Sequence, residues 1–255
     1  MELVEFQNKI KDFKSRGISI IGISYDSIKV LKAFSEQHKI TYPLLSDVGS
    51  DVIRKYGILN TNIDPGKKSY GIPYPGLYFI NQNLVVTGKE FEKSYAARPT
   101  AKSVLVMHFD EKIEFNVKTF QNDYVNGQVG ISDTTARAAQ VLAMIAELNM
   151  KNGFHLYGTP IPQGYIPLTI KMEPNPNFTL DSLQFPQTKT LRLKSLNETF
   201  QILPGKIKLK SFLRIKKKPQ KGFYRIRINI SLQACDDKTC RFPENFKLEF
   251  PLRIY

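Results

Sequence analysis

The two cysteines of this 255-residue chain, Cys235 and Cys240, lie between two segments in which apolar and polar residues alternate. Residues 223–232 and residues 246–255 each follow a period of two, which predicts strands with one apolar face. The intervening Asp-Asp-Lys-Thr has the composition of a turn. Opposed residues of a narrow antiparallel pair have Cα atoms about 4.5–5.5 Å apart, a distance that a disulfide bridges. The spacing therefore permits a bond between the two cysteines.

The residues alone leave two roles open for this pair. A disulfide closing so short a loop adds little stability, because the entropic benefit grows with loop length, and this favours thiol exchange. Two buried free thiols are the alternative, since free cysteine is common in protein cores. A zinc site is not expected because no histidine or third cysteine lies near. The charges of residues 236–241 balance, so no local field is evident that would lower the pKa of a thiol.

Residues 233–243, with the core Ala-Cys-Asp-Asp-x-x-Cys, resemble the redox hairpin of the N-terminal immunoglobulin-like domain of the thiol:disulfide interchange protein DsbD. Residues 153–160 (Gly-Phe-His-Leu-Tyr-Gly-Thr-Pro) and 164–169 resemble the same family. The resemblance implies an all-β, immunoglobulin-like sandwich over residues 109–255. It also implies that Cys235 and Cys240 are catalytic and pass electrons between thiol partners, a thioredoxin-like or DsbD-like protein being the partner. No cofactor or metal is expected.

The first 108 residues predict the order helix, strand, helix, hairpin, helix. Leu3, Phe6, Ile10 and Phe13 recur at helical spacing, and residues 18–24 form an apolar run of strand length. Asp26 or Ser27 is expected to cap a second helix, and Asp47 or Ser50 a third. Residues 70–86 read as two strands around a turn. This order is that of a thioredoxin-like fold from its first helix onward.

Residues 17–26, 42–47 and 71–76 resemble peroxiredoxins of the alkyl hydroperoxide reductase and thiol-specific antioxidant (AhpC/TSA) superfamily, over about residues 1–107. By that resemblance Pro75 is a cis-proline that faces a redox cysteine. The peroxidatic Pro-x-x-x-Thr-x-x-Cys motif is absent, and so is the usual arginine before the hairpin strand. Peroxidase activity of this chain alone is therefore not expected.

The strand that precedes the first helix in this family is also missing, which leaves the predicted thioredoxin-like sheet without its central strand. We expect the flanking strands, at residues 18–24 and 77–80, to close up and pair directly, because buried backbone groups need partners. We also expect a first domain, residues 1–108, that is less stable than the second, residues 109–255. The natural protein is expected to have an N-terminal extension that carries the strand and a redox cysteine.

Two segments and one side chain admit more than one interpretation. The chain carries a formal charge of +14, and much of the excess lies in residues 206–221, which predict a lysine-faced strand rather than a nucleic-acid or lipid site. Residues 141–148 have helical propensity, but the DsbD resemblance favours a strand there. His155 is either an acid–base group or, as is more common for a single histidine, a packed core residue.

The chain as given has neither a signal peptide nor an apolar run of membrane-spanning length, which is about 18–20 residues. It is thus expected in the cytoplasm, or in the periplasm if an N-terminal segment is missing. A thiol-disulfide oxidoreductase or electron-relay protein is the first functional hypothesis. A noncatalytic binding or scaffold protein with a structural cysteine pair is the second, and a binder of nucleic acid or membrane surfaces the third.

Overall fold

The computed structural model describes residues 2–67, 70–92, 95–193 and 198–255. The chain divides into two units, Met1–Ala101 and Lys102–Tyr255. The domain boundary predicted from sequence, between residues 108 and 109, lies at the end of a helix that begins at the junction of the units. The elements of the first unit are α1 (Glu2–Asn8), α2 (Ile10–Lys14), β1 (Gly22–Ser24), α3 (Ile28–His38), β2 (Leu44–Ser46), α4 (Asp51–Lys55), β3 (Gly76–Ile80), β4 (Val86–Phe91) and β5 (Arg98–Pro99).

The helix predicted from the apolar spacing of the first residues is present in two pieces. Lys9 has φ −108° and ψ 11°, which is outside the helical region, and it separates α1 from α2. Phe6 and Phe13 still point to one core, where their rings meet edge to face at 5.7 Å. The apolar period therefore survives the interruption, because both pieces bury the same side.

At the start of each of the next two helices, a side-chain oxygen accepts hydrogen bonds from backbone N–H groups of the first turn. The Ser27 hydroxyl accepts a hydrogen bond from the Val30 N–H at the start of α3. At α4 the Asp47 carboxylate accepts from the N–H groups of Val52 (3.1 Å) and Ile53 (2.9 Å). These bonds hold the pKa of Asp47 below its usual range.

Strands β1 to β4 of the first unit form two separate two-stranded sheets. β1 pairs in parallel with β2, and β3 pairs antiparallel with β4. The prediction that residues 18–24 and 77–80 pair directly is wrong for the described residues. Only three residues of the predicted first strand are extended, so β1 offers few hydrogen bonds with which to recruit a hairpin that is already paired within itself.

Pro75 does not have the cis peptide bond that was predicted. Thr159–Pro160 is the cis bond found among the described residues, so the prediction for Tyr74–Pro75 is wrong. The Tyr74 N–H donates to the Ile58 carbonyl oxygen at 2.6 Å. An extended trans connection suits this position, because Pro75 directly precedes β3 and the chain continues straight into that strand.

The second unit is built mostly of strands. Its elements are α5 (Ala101–His108, whose first residue ends the first unit), β6 (Val117–Gln121), β7 (Val125–Ile131), β8 (Thr135–Ala136), β9 (Gln140–Met150), β10 (His155–Tyr157), β11 (Thr169–Met172), β12 (Phe178–Leu180), β13 (Lys189–Leu193), β14 (Glu198–Pro204), β15 (Lys206–Ile215), β16 (Gly222–Leu232), β17 (Ala234–Cys235) and β18 (Glu244–Ile254).

Three sheets organise these strands. One has the order β12-β15-β9-β7-β6, a second β11-β16-β18-β8, and a third β13-β14-β10-β17. The first two share one hydrophobic core, to which β9 and β16 contribute alternate side chains such as Leu142, Met144, Ile226 and Ile228. The two predicted alternating segments are β16 and β18, and their pairing runs from Gly222 opposite Ile254 to Leu232 opposite Glu244.

Residues 141–148 form a strand, as predicted, within β9. One face of β9 enters the main core, while Ala143 and Ile145 on the other face pack with Val106 and Met107 of α5. Burial on both faces explains the continuous apolar run and the helix-like composition, because neither face needs polar residues.

The basic segment forms the strand that was predicted. Buried and more accessible residues alternate along β15. Two of its outer lysines have acidic or carbonyl partners: Lys208 Nζ lies 3.3 Å from Asp110 Oδ1, and Lys210 Nζ donates to the Met107 carbonyl oxygen at 2.8 Å. Part of the positive charge of this segment is therefore matched within the second unit. Within the described ranges, no helix is both long and apolar enough to cross a bilayer.

Candidate functional site

The cysteine hairpin connects two long strands, β16 and β18, which pair with each other in one sheet, while the hairpin itself joins another sheet. β16 ends at Leu232 and its partner β18 begins at Glu244. Between them β17 leaves that sheet and pairs with β10, placing Ala234 opposite Leu156 and Cys235 opposite His155. The sequence predicted that both cysteines flank a turn. Because β17 pairs with β10, Cys235 is held against that strand.

Cys235 and Cys240 are joined by a disulfide with an S–S distance of 2.08 Å. The two residues face each other across an antiparallel bridge, and the Arg241 N–H donates to the Ala234 carbonyl oxygen at 2.8 Å to close the hairpin. Cys235 is fully buried, whereas Cys240 is only partly buried. Of the two residues, Cys240 is therefore the more accessible, and Cys235 is closed to solvent.

The turn between the cysteines is held by the carboxylate of Asp236. It accepts hydrogen bonds from the backbone N–H groups of Lys238 (2.8 Å) and Thr239 (2.7 Å), and Arg241 Nη2 lies 2.8 Å from it. The backbone bond from Thr239, then that from Lys238, and the nearby Arg241 keep the pKa of Asp236 below its usual range. This arrangement is an Asx turn closed by a cation.

Arg241 anchors the hairpin against two aromatic rings. Its guanidinium lies 5.2 Å from the ring centroids of both Tyr124 and Phe154, which are themselves 4.8 Å apart. Cation–π contacts of this kind add roughly 0.5–2 kcal/mol each. The next residue, Phe242, is 92% exposed and lies two positions from Cys240. A large, exposed apolar side chain thus follows the partly buried Cys240 closely along the chain.

Three aromatic side chains, Tyr157, Phe200 and Tyr165, pack in one cluster with the two cysteines. The Tyr157 ring stacks on Phe200 at 5.1 Å and meets Tyr165 edge to face at 5.3 Å. The Tyr157 hydroxyl is 3.5 Å from Cys240 Sγ. Because a disulfide sulfur carries no proton, the hydroxyl is the donor in this contact. Burial raises the pKa of Tyr157 to about 12, with smaller contributions from Tyr165 and Glu198, so this phenol is neutral and keeps its proton at neutral pH.

His155 is the other side chain of β10 on this face. It is 4% exposed, its ring lies 5.5 Å from that of Tyr157, and it is the direct cross-strand partner of Cys235. Its Nε2 atom is buried and has no hydrogen-bond partner in the described part of the chain. Burial lowers the pKa of His155, and the charges of Asp237 and Asp236 oppose that shift in part.

The arrangement is suited to thiol–disulfide exchange. It combines a disulfide in which one cysteine is only partly buried, a neutral phenol that donates to the sulfur of that cysteine, and a buried imidazole opposite the other cysteine. Residues 2–67, 70–92, 95–193 and 198–255 contain no cluster of three or more His, Cys, Asp or Glu side chains that would hold a metal ion.

Of the three residues singled out from the sequence, the structure brings Cys235 and Cys240 together, while Pro75 belongs to the first unit. Sequence reasoning missed the hydroxyl of Tyr157 and the aromatic contacts of Arg241. Tyr157 and His155 are two positions apart, and this period-two spacing was a signal that both face one side of a strand. The sequence contains no signal for which strand they would meet.

Comparison with known proteins gives a family match in the first unit. Residues 1–89 match the model of the AhpC/TSA family. Alkyl hydroperoxide reductase C of Buchnera aphidicola subsp. Acyrthosiphon pisum (strain APS) is 30% identical over 92 residues, which are 33% of this chain and 43% of that protein. The chain spans about a third to a half of the length of the curated relatives that it matches.

Two solved structures resemble the chain weakly. The N-terminal periplasmic domain of ScsB from Proteus mirabilis has a TM-score of 0.40 and 10% identity, with 53% of this chain and 51% of that one covered. The Neisseria meningitidis DsbD N-terminal domain in the reduced form has a TM-score of 0.31 and 10% identity, with 44% and 78% covered. Neither likeness is close enough to support an assignment.

The family match agrees with the helices and strands of the first unit, which occur in the order expected of a thioredoxin-type fold from its first helix onward. Both cysteines of the chain lie beyond residue 89, outside the matched region. The N-terminal region of this chain is an AhpC/TSA domain of the thioredoxin-fold type.

Proposed function

We propose that this protein is a thiol-disulfide oxidoreductase or electron-relay protein in which Cys235 and Cys240 are the redox pair. The observation that carries the proposal is the asymmetry of the disulfide: Cys240 is partly exposed and contacts a hydroxyl donor, while Cys235 is fully buried. A disulfide with no role but stability gains little from a loop of this length, so a hairpin of this kind is better explained by exchange.

The exchange proceeds by two displacements that balance in atoms and electrons. A thiolate of a partner dithiol protein attacks Cys240 Sγ, the Cys235–Cys240 bond breaks, and the electron pair stays on Cys235 Sγ, which takes up a proton. The second thiol of the partner then attacks the mixed disulfide and releases Cys240 as a thiolate, which is also protonated. The partner leaves as a disulfide, and the pair has gained two electrons and two protons.

The partner is proposed to be a thioredoxin-like or DsbD-like protein. The exposed Phe242 next to Cys240 supports a protein partner, because apolar side chains near the centre of a contact supply much of its binding energy. We also propose that residues 109–255 form an immunoglobulin-like sandwich domain of the DsbD type, following a thioredoxin-like domain of residues 1–108. The two sheets that share one core in the second unit support the sandwich.

Trapping of a mixed disulfide tests this function. Cys235→Ser leaves Cys240 as the only thiol, so the variant is expected to capture a partner through a disulfide that no resolving cysteine releases. Cys240→Ser is the matched control: it leaves Cys235, which is buried, and is expected to capture no partner. Equal capture by both variants of a thioredoxin-like dithiol protein, or capture by neither, would contradict the proposal.

A noncatalytic binding protein is the alternative, with the thioredoxin-type unit as a recognition scaffold and the disulfide as a structural link. It is favoured by the absence of cysteine from the family-matched region. The reduction potential decides between the two. A potential below about −300 mV is typical of structural disulfides, and a markedly higher one is typical of exchange.

A further inference from the structure

We propose that His155 is a positioning residue for the reduced state: its Nε2 accepts a hydrogen bond from the thiol of Cys235 once the disulfide opens, and this stabilises the reduced form. The inference rests on the proposed function, because it concerns the reduction of the same cysteine pair. It assigns a role to the side chain that lies directly across the strand pair from Cys235.

The first observation is a buried ring nitrogen without a hydrogen-bond partner. His155 is 4% exposed, and its Nε2 has no hydrogen-bond partner among the described residues in the disulfide-bonded state. A buried polar atom that has lost its hydrogen bonds to water and found no other partner destabilises the state that contains it. The oxidised state therefore carries a cost that a new donor near Nε2 would remove.

The second observation is the position of the donor that reduction creates. His155 and Cys235 are directly opposite in the β10–β17 pair, so their side chains leave the same face of the sheet. The Cβ atoms of such a pair are about 4.5–5.5 Å apart. Opening the disulfide frees the Cys235 side chain to rotate about its Cα–Cβ bond, and the sulfur acquires a proton that Nε2 accepts.

The charged groups around His155 keep it neutral and ready to accept. On its own strand Tyr157 is a neutral phenol, and on β14 its cross-strand partner is Pro204, which carries no charge. On the hairpin, Asp236 and Asp237 raise the pKa of His155, but burial lowers it by more. Asp236 is itself paired with Arg241. At neutral pH the imidazole is thus an uncharged base beside the leaving sulfur.

The role in the exchange follows from the order of steps. Attack at Cys240 leaves the electron pair on Cys235 Sγ, in a fully buried position where an isolated thiolate is unfavourable. Protonation of that sulfur gives a thiol whose proton is shared with Nε2. The imidazole neither gains nor loses a proton over the whole reaction, so it acts through the hydrogen bond alone.

The first test is the equilibrium of the full-length protein with reduced and oxidised glutathione. His155→Phe is expected to make the disulfide harder to reduce by about fivefold or more in the equilibrium constant, because it removes the unpaired ring nitrogen from the oxidised state and the proposed hydrogen bond from the reduced state. His155→Gln retains an acceptor and is expected to recover part of the change. His38→Phe, in the first unit, is the matched control and is expected to leave the constant unchanged.

The second test uses the unaltered protein and does not depend on whether a variant folds. The ¹⁵N chemical shift of the His155 imidazole is measured by NMR before and after reduction of the disulfide by a phosphine. A hydrogen bond from Cys235 predicts that the shift of Nε2 changes while the residue stays neutral. An unchanged Nε2 shift, or a His155→Phe variant whose equilibrium constant lies within twofold of the original, overturns the proposal.

The two proposals fail in different ways. A disulfide that captures no partner and has a structural potential refutes the exchange function, but the phosphine experiment still reports whether Nε2 meets Cys235. A normal exchange reaction with an unchanged imidazole signal refutes the role of His155 and leaves the function intact.

Discussion

Tyr157 is the residue that most directly links the fold of the second unit to the chemistry of the cysteine pair. Its ring is fixed between Phe200 and Tyr165, and this leaves the hydroxyl 3.5 Å from Cys240 Sγ. When Cys240 is a thiolate, the same hydroxyl donates to an anion. Hydrogen bonds to charged groups are worth about 1.5–3 kcal/mol, more than those between neutral groups.

Replacing Tyr157 by Phe is expected to raise the pKa of the Cys240 thiol in the reduced protein. The ring and its packing remain, but the thiolate loses its donor, so the thiolate fraction at neutral pH falls by roughly tenfold. The measurement is the rate of alkylation of Cys240 against pH, read by mass spectrometry. The midpoint of the profile is expected to move to higher pH.

Tyr165→Phe is the matched control for this substitution. It removes a phenol from the same aromatic group, but its hydroxyl bonds to Glu198 at 3.3 Å and not to a cysteine. Its alkylation profile is expected to match that of the unaltered protein. A Tyr157→Phe profile that coincides with the Tyr165→Phe profile would show that the hydroxyl does not influence Cys240.

At the same scale, the sequence predicted the cysteine pairing but not its surroundings. Local features, namely the turn composition and the alternation on both sides, permit the pairing, and the resemblance to the DsbD hairpin favours it. The contact between Tyr157 and Cys240 joins residues 83 positions apart, and it depends on the register of β10 against β17. A single sequence does not contain that register, so neither the donor nor the unpaired His155 Nε2 could be predicted.

The start of α4, a helix of five residues, is held by two polar side chains that have separate tasks. Asp47 accepts from the free N–H groups of the first turn. Ser50 occupies the N-cap position with φ 61°, and its hydroxyl donates to the Gly71 carbonyl oxygen at 2.8 Å. The sequence offered these two residues as alternatives for one cap, whereas the structure uses both.

Ser50→Ala is expected to lower the free energy of unfolding of the first unit by about 1–3 kcal/mol, because it leaves the buried carbonyl oxygen of Gly71 without its donor. Ser27→Ala is the matched control at the start of α3. Its hydroxyl accepts only a long, exposed bond of 3.4 Å, so a loss at the low end of the range for helix caps, about 0.5 kcal/mol, is expected. Urea unfolding followed by circular dichroism measures both, and equal losses would contradict the argument.

Long strands were predicted better than short ones, for a physical reason. β9, β15, β16 and β18 each have ten or eleven residues, so their patterns of burial extend over several periods. β1 and β2 have three residues each, too few for a period to identify. Their extent depends on which neighbours supply hydrogen bonds. The same dependence explains why the predicted pairing of residues 18–24 with the hairpin was wrong.

At the scale of the whole molecule, the two units differ in how completely they bury their strands. In the second unit two sheets share one continuous core. In the first unit the sheets have two strands each, and the cross-strand pair Ile23 and Leu45 is 49% and 48% exposed. Two-stranded sheets are marginally stable by themselves, because few side chains cover each hydrogen bond.

The amide hydrogens of β1 to β4 are therefore expected to exchange about a hundredfold faster than those of β9 and β15, after correction for intrinsic rates. Hydrogen exchange followed by mass spectrometry on the full chain measures the difference. Phe13→Ala, which removes a buried ring from the first unit, is expected to accelerate exchange in β1 and β2 and to leave β9 unchanged, whereas Ile23→Thr alters an exposed position and is expected to change neither. Since protection reflects the free energy of opening, slow exchange throughout the first unit, equal to that of β9, would show that its two small sheets are as stable as the shared core of the second unit.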